Sequence, residues 1–254
     1  MKISEIQEVL KDLEVEELKK QIDLLKDDTR SGVIKLIHQY EKKIIHYQKE
    51  HDEWALKCSF DEVFHENRYA LVGIDEVGRG PLAGPVVAVA VILPHHAYLP
   101  GVKDSKKLSE LQREALYTKI QETALAIGIG VVDSQTIDSI NILQATFEAM
   151  RMALEDLAYP YDILCVDGDK AIPEIDEKQH AVIAGDDKSA SIGAASIIAK
   201  VTRDRMMKAY AKEYPMYDWE SNKGYGSHKH YEAIRAFGIT PLHRKSFLKN
   251  EGIF

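Results

Sequence analysis

The spacing of apolar residues changes near residue 67 and divides the chain into two parts. Before that point, apolar residues recur at intervals of three and four, which is typical of amphipathic helices. Asp27, Asp28 and Gly32 interrupt the pattern, so we predict a hairpin of two helices over residues 1–67, with a capping box formed by Ser4 and Gln7. The apolar positions are Ile6, Leu10, Leu13, Leu18, Ile22 and Leu25, then Val33, Leu36, Ile37, Tyr40, Ile44, Ile45 and Tyr47.

From Tyr69 onward, short apolar runs rich in β-branched residues alternate with helical stretches. Strands are predicted at residues 70–74, 85–93, 124–132, 162–166 and 180–184. Helices are predicted at residues 109–122, with Ser109 as the N-cap, and at residues 134–157 and 189–212. Strands come first and then alternate with helices, an order that favours an α/β domain with a mixed sheet flanked by helices over residues 68–254.

Composition narrows the class of protein. The chain has 254 residues, of which 45% are hydrophobic and 29% charged, which excludes fibrous, disordered and disulfide-scaffold proteins. Cys58 and Cys165 are the two cysteines, and Cys165 lies in an apolar run, so we expect no disulfide and a reducing compartment. The N-terminus lacks the apolar core of a signal peptide, and no apolar run could span a bilayer. We therefore expect a cytoplasmic protein with no membrane partner.

The distribution of charge qualifies an acidic total. A net charge of −8 argues against a nucleic-acid partner, because phosphates are bound mainly by Lys and Arg. From Asp186 to the end, however, 12 Lys and Arg stand against 8 Asp and Glu, a net +4, which leaves −12 for the preceding residues. A basic surface patch is therefore compatible with the composition.

Acidic residues follow three of the apolar runs. Asp75 and Glu76 end the first predicted strand, Asp167 ends another and is followed by glycine, and Asp186 with Asp187 follows a third. One such pair alone would favour a solvated turn. Three of them at strand ends predict a cluster, because ligands of α/β sheets bind at the carboxyl ends of the strands.

Carboxylates without accompanying Cys or His pairs are the ligands that Mg²⁺ and Mn²⁺ prefer, and zinc is not expected. Two such ions could activate a water and stabilise the leaving oxygen of a phosphodiester. The alternative, that these acids cap helices or turns, stays open. Residues 167–178 do not fit an EF-hand, and the chain contains neither a GxSxG elbow nor a P-loop.

Basic and aromatic residues that could hold a polyanion accompany these acids. For Lys200 and Arg203, ordinary ion pairs with Asp204 at a solvated helix end are an alternative. Tyr225 could stack on a nucleotide or simply lie in a turn before a helix near His230. The set is Arg79, the run from Asp104 to Lys107, Lys200, Arg203, Arg205 and the stretch NKGYGSHKH.

Six blocks of this sequence, in order, resemble the signature blocks of ribonuclease HII and are distributed over nearly the whole length of residues 69–243. They are GIDEVGRGPLAGPVVAVAVIL, DSKKLS, INILQAT, VDG, AGDDKSASIGAASIIAKVTRDRMM and NKGYGSHKHYEAI. The resemblance implies a ribonuclease H fold and an endonuclease dependent on Mn²⁺ or Mg²⁺. Such an enzyme cuts the RNA strand of RNA-DNA hybrids and nicks duplex DNA 5′ of embedded ribonucleotides, leaving 3′-OH and 5′-phosphate ends.

The resemblance also implies roles for individual residues. The catalytic metal ligands would be Asp75, Glu76, Asp167 and Asp186, with Asp187 a neighbour only. Gly78, Arg79 and Gly80 would read the ribose 2′-OH, Tyr225 would stack on the next deoxyribose, and Lys106 and Lys200 would lie near the scissile strand. Arg79 between the two glycines favours type HII over the related type HIII, which carries Lys there.

Two other functional classes fit the residues less well: a nucleic-acid binding module that holds a metal without cleaving, and a metal phosphatase for small esters. The N-terminal helices could contact a protein or a nucleic acid.

Overall fold

The computed structural model describes residues 1–64 and 70–249. These form two compact units, Met1–Ala55 and Leu56–Phe254. The predicted domain boundary between residues 67 and 68 lies outside the described residues and stays a prediction.

Three helices, and not the predicted two, make up the N-terminal part: α1 (Ile3–Lys11), α2 (Val15–Leu25) and α3 (Ser31–Glu62). The first predicted helix breaks between α1 and α2, where the step of five residues from Leu13 to Leu18 is out of phase with a continuous helix. The predicted capping box is also wrong, because α1 begins earlier and the backbone N–H of Lys2 donates to Glu5. Ile45 and Tyr47, which were also predicted as apolar positions of the second helix, are exposed. Eight of the predicted apolar positions form the core of the first unit: Ile6, Leu10, Leu18, Ile22, Val33, Leu36, Ile37 and Tyr40.

The second unit contains a five-stranded mixed sheet in the order β3-β2-β1-β4-β5, which confirms the predicted fold class. The strands are β1 (Leu71–Val77), β2 (Val86–Ile92), β3 (Ala126–Val132), β4 (Ile163–Asp167) and β5 (Lys178–Val182). β2 is antiparallel to both β1 and β3, whereas β1, β4 and β5 are parallel to one another. The carboxyl ends of β1 and β4 therefore lie side by side.

Helices cover both faces of the sheet. In chain order they are α4 (Glu110–Thr123), α5 (Ser134–Ile140), α6 (Ile142–Leu157), α7 (Gly185–Lys188), α8 (Ala190–Glu213), α9 (Trp219–Asn222), α10 (His228–Phe237) and α11 (Lys245–Leu248), with 3₁₀ turns at Ser105–Lys107 and Pro215–Tyr217. α6 packs on one face over the main apolar core, and α8 packs on the other. The approach of α8 to β1 is close because Gly73 has no Cβ, which would lie 2.2 Å from the Ser191 backbone.

Several boundaries differ from the prediction. Ser109 caps α4 as expected, but the predicted helix 134–157 is divided at Asn141, whose positive φ of 68° ends α5 and whose side chain caps α6. β5 ends at Val182, so Asp186 lies in the short helix α7 and not at the end of a strand. Cys165 is buried in β4 as predicted.

Across the described parts of the chain, 1–64 and 70–249, no helix combines the length and apolar character that a membrane crossing requires.

Candidate active site

The first two acidic positions are brought together by the register of β1 and β4. Ile74 pairs with Val166, so Asp75 and Asp167 are the next residues on adjacent parallel strands, which lie about 4.8 Å apart. The side chain of Asp75 is 6% exposed and accepts the backbone N–H of Glu76 at 2.7 Å. Asp75, Glu76 and Asp167 therefore share one end of the sheet.

A hydrogen bond brings the third segment to the same end. The backbone N–H of Gly185 donates to Asp167 Oδ1 at 2.7 Å, and Ala184, with φ 54°, turns the chain into α7. Asp186 is thereby placed beside Asp167. The carboxylate of Asp187 instead accepts Lys107 Nζ at 2.6 Å.

The electrostatics of this cluster show mutual repulsion. Burial raises the pKa of Asp75 well above its usual value, and the charges of Glu76 and Asp167 add to the rise. Burial also raises the pKa of Glu76, although Arg79, 3.3 Å away, opposes it. The pKa of Asp186 is raised by burial and then by Asp167. Like charges that lack compensation at close range favour a cation between them.

The donors in this cluster are all carboxylate oxygens, which suits a hard divalent cation such as Mg²⁺ or Mn²⁺. Among the residues that the structure describes, no three His, Cys, Asp or Glu side chains are arranged tightly enough to hold a metal ion as they stand. The four acids are therefore neighbours of suitable chemistry and not a closed cage. A cavity of about 50 Å³ opens beside Glu76, Arg79 and Asp167.

Two fully buried arginines hold the loop between β1 and β2, which contains the Gly-Arg-Gly segment. The guanidinium of Arg244 donates to the carbonyls of Gly78 at 2.6 Å, Arg79 at 2.9 Å and Gly84 at 2.8 Å. Arg203 donates to the carbonyls of Pro85, Ala83 and Lys223, at 2.9, 3.1 and 2.9 Å. Carbonyls from both ends of this loop are therefore fixed by charged donors.

These contacts correct one interpretation of the sequence and add to it. Arg203, which the sequence suggested as a contact for a polyanion, is 0% exposed and instead donates hydrogen bonds to carbonyls of the loop. Arg244 gave no signal in the sequence, because its acceptors lie about 160 residues away. Burial lowers the pKa of Arg203 to about 10 and that of Arg244 to about 9, so both remain charged at neutral pH.

Tyr225 lies next to the Gly-Arg-Gly segment. Gly224 accepts the N–H groups of Leu82 and Ala83, which joins the turn carrying Tyr225 to the loop. A Cβ at Gly80 would lie 3.6 Å from the Tyr225 ring, and the tyrosine is 46% exposed. The structure thus brings an accessible aromatic ring beside the glycine segment.

The two predicted lysines differ in their surroundings. Lys106, in the 3₁₀ turn, lies near enough to Asp186 to offset part of the rise in that carboxyl's pKa, which burial dominates. Lys200 Nζ binds Asp204 at 2.7 Å, with only 17% of the lysine side chain exposed. The ion-pair alternative stated for Lys200 is therefore observed.

Known proteins match this chain in both sequence and structure. The family model "Ribonuclease HII" matches residues 72–250, and "Ribonuclease HII N-terminal domain" matches residues 2–65. The chain is 46% identical to a ribonuclease HII of Acetivibrio thermocellus, over 98% of each chain. It is 47% identical to one of Clostridioides difficile, over 98% of this chain and 97% of the relative. The crystal structure of ribonuclease H2 from Pyrococcus horikoshii is similar with a TM-score of 0.61 and 28% identity, covering 72% of this chain and 96% of that one.

Proposed function

Because the chain belongs to the ribonuclease HII family, an endoribonuclease family of the ribonuclease H type, we propose that it acts on RNA-DNA hybrids and nicks duplex DNA at embedded ribonucleotides. Cleavage occurs 5′ of the ribonucleotide and leaves 3′-OH and 5′-phosphate ends. The observation that carries this proposal is the adjacency of two features: the carboxylate cluster at the ends of β1 and β4, and the arginine-held loop that starts directly after β1.

In this proposal the four acids Asp75, Glu76, Asp167 and Asp186 hold divalent cations. The family depends on such ions, and two of them would supply activation of water and stabilisation of the leaving 3′ oxygen. Repulsion among the carboxylates supports this role, since a bound cation removes the cost of keeping them ionised together. Mn²⁺ and Mg²⁺ both suit these donors.

The loop provides recognition of the ribose. Gly78, Arg79 and Gly80 contact the 2′-OH, which is the group that distinguishes RNA from DNA at a given site. Arg244 donates hydrogen bonds to the carbonyls of Gly78 and Arg79. These bonds fix the path of the loop backbone and the direction of its other polar groups. Preformed donors and acceptors lose little entropy on binding, so the loop can select a ribonucleotide at one position.

The exposed ring of Tyr225 stacks on the deoxyribose that follows the ribonucleotide and so favours an RNA-to-DNA junction. Lys106 contacts the backbone of the scissile strand. Lys200 takes a similar role only if it leaves Asp204, to which it is paired.

The test uses an end-labelled DNA duplex with a single ribonucleotide, a matched all-DNA duplex and a long RNA-DNA hybrid. Each is incubated with the protein and Mn²⁺, Mg²⁺ or a chelator. We expect one metal-dependent nick 5′ of the ribonucleotide and no cleavage of the all-DNA duplex. Cleavage of the hybrid alone would remove the junction role of Arg79 and Tyr225, and binding without any cleavage would favour the non-cleaving module.

A further inference from the structure

The C-terminal turns of α3 reach the segment that carries Asp186. Lys57 is 4% exposed, and its Nζ donates to the backbone carbonyl of Asp186 at 2.6 Å. Asp61 is 5% exposed, and its Oδ2 accepts both the backbone N–H and the hydroxyl of Ser191, each at 2.9 Å. All four residues belong to the second compact unit, Leu56–Phe254.

The spacing of these two residues matches the segment that they bind. Lys57 and Asp61 are four residues apart on a helix and therefore lie on one face. Their partners, Asp186 and Ser191, lie at the two ends of the stretch that joins α7 to the first turn of α8. One face of α3 thus fixes both ends of the short segment from Asp186 to Ser191.

The neighbourhood of the Lys57 ammonium group is tightly packed. A Cβ at Gly193 would lie 3.1 Å from the Asp186 carbonyl oxygen and 3.8 Å from Lys57 Nζ. Gly73 of β1 supports the same stretch from the sheet side, where a Cβ would lie 2.2 Å from the Ser191 backbone. The Asp186 carbonyl therefore has little room to move while Lys57 holds it.

The choice of acceptor matters for the chemistry. Lys57 binds the carbonyl of Asp186 and leaves the carboxylate of that residue to the acidic cluster. Lys57 therefore does not compete with a divalent cation for that carboxylate.

We propose that Lys57 is a positioning residue for Asp186, which it holds through the backbone so that the Asp186 carboxylate completes the divalent-cation site. Asp61 supports it by fixing the start of α8. This inference rests on the proposed function, in which Asp186 is a metal ligand. Partners that orient metal ligands without binding the metal typically change metal affinity or activity by about 10- to 100-fold when replaced.

The experiment compares full-length wild type, Lys57→Met, Lys57→Arg and a control, Lys42→Met, which makes the same change at an exposed position of the same helix. Mn²⁺ binding is measured directly by calorimetry without nucleic acid. Nicking of the single-ribonucleotide duplex is measured across Mn²⁺ concentrations, and the melting temperature is measured in chelator.

We expect Lys57→Met to weaken Mn²⁺ binding about tenfold and to raise the half-saturating Mn²⁺ concentration for nicking by a similar factor. Lys57→Arg should restore most of both, because it keeps a charged donor, and Lys42→Met should match wild type. A purely structural role would lower the melting temperature of Lys57→Met while leaving its Mn²⁺ affinity unchanged, and that result would overturn the inference.

The two proposals fail in different ways. If wild type binds Mn²⁺ and does not nick the duplex, the proposed function fails, while the calorimetric comparison still decides the role of Lys57. If wild type nicks normally and Lys57→Met has the same Mn²⁺ affinity and metal dependence, the inference about Lys57 fails and the proposed function stands.

Discussion

The two halves of the candidate site handle buried charge in opposite ways. At the ends of β1 and β4, acidic groups are gathered with like charges around them, and burial raises the pKa of Asp75 and Glu76. In the adjoining loop, the charges of Arg203 and Arg244 are fully buried, but each guanidinium is surrounded by backbone carbonyls. The negative charges of the first region therefore lack sufficient positive partners, whereas the positive charges of the second have hydrogen-bond acceptors.

This difference separates a part that needs a ligand from a part that is already organised. A buried group with satisfied hydrogen bonds stabilises one conformation, whereas clustered carboxylates destabilise the fold until a cation binds. Substitutions should therefore have opposite effects on the metal-free protein: removing an acid from the cluster stabilises it, and removing an arginine from the loop destabilises it.

The largest expected effect follows from Asp75→Asn. It removes a carboxylate from the centre of the cluster while keeping the shape of the side chain, so we expect nicking with Mn²⁺ to fall by at least about 10³-fold. In chelator, its melting temperature should rise, because the repulsion with Glu76 and Asp167 is relieved. Activity assays and thermal unfolding measure the two effects.

The control for Asp75→Asn is Asp187→Asn, which makes the same change at the acid that follows Asp186 and forms an ion pair with Lys107. It should retain most of the activity. Cleavage by Asp75→Asn at a rate near that of wild type would contradict the assignment of the cluster.

The next largest effect should come from Arg244→Met in the loop. The change leaves the buried carbonyls of Gly78, Arg79 and Gly84 without their donor, so we expect the free energy of unfolding to fall by about 3 to 5 kcal/mol. Urea unfolding in chelator measures it, with Arg235→Met at an exposed position of α10 as control. A loss no larger than that of the control would show that the loop does not depend on Arg244.

A smaller effect, on specificity alone, is expected from Tyr225→Ala. Loss of one stacking ring costs about 1 to 3 kcal/mol in binding, so cleavage at a single ribonucleotide should fall about tenfold or more relative to cleavage of a long hybrid. Tyr225→Phe keeps the ring and should behave as wild type. Because the side chain is half exposed, stability should change little in either variant. Equal losses on both substrates would place Tyr225 outside junction recognition.

The same contrast explains which features could be predicted from the sequence. Asp75 and Asp167 each follow a continuous apolar run, so their positions at the carboxyl ends of strands predicted that they would cluster, and the register of β1 and β4 places them side by side. The placement of Asp186 on α7 was not predicted, because the apolar run before it extends beyond β5. The roles of Arg244 and Lys57 depend on contacts across more than 100 residues, which no local pattern encodes.

A buried pair of histidines, His230 and His243, lies beside the turn that carries Tyr225. Trp219 Nε1 donates to His230 Nε2, and His230 Nδ1 lies 2.9 Å from the Tyr225 carbonyl. These two contacts assign a neutral His230 ring whose proton is on Nδ1. His243 Nε2 then donates to His230 Nε2 at 3.1 Å, and His243 Nδ1 accepts the Thr240 N–H. A second proton, on His243 Nδ1, would face the Thr240 N–H, with the Thr240 hydroxyl 3.0 Å away. His243 directly precedes Arg244, so this network is joined through the backbone to the residue that holds the loop.

Burial lowers the pKa of His243 to about 4, with the His230 ring contributing. An imidazole in the unfolded chain titrates near its ordinary value of 6.5, so the unfolded state binds more protons below that pH. The stability that neutral His243 contributes is therefore present above pH 6.5 and is lost as pH falls toward 4. The raised pKa of Asp75 has the opposite effect on stability, because ionisation of Asp75 destabilises the metal-free fold as pH rises.

In urea titrations with chelator, we expect the stability advantage of wild type over His243→Asn to shrink by about 1 to 2 kcal/mol between pH 7.5 and pH 5. The same shrinkage should persist when both proteins also carry Asp75→Asn, because that change acts on the other half of the site. If the stability advantage of wild type stayed constant across this pH range, protonation of the histidine pair would not destabilise the fold. The two regions would then not differ in how their stability depends on pH.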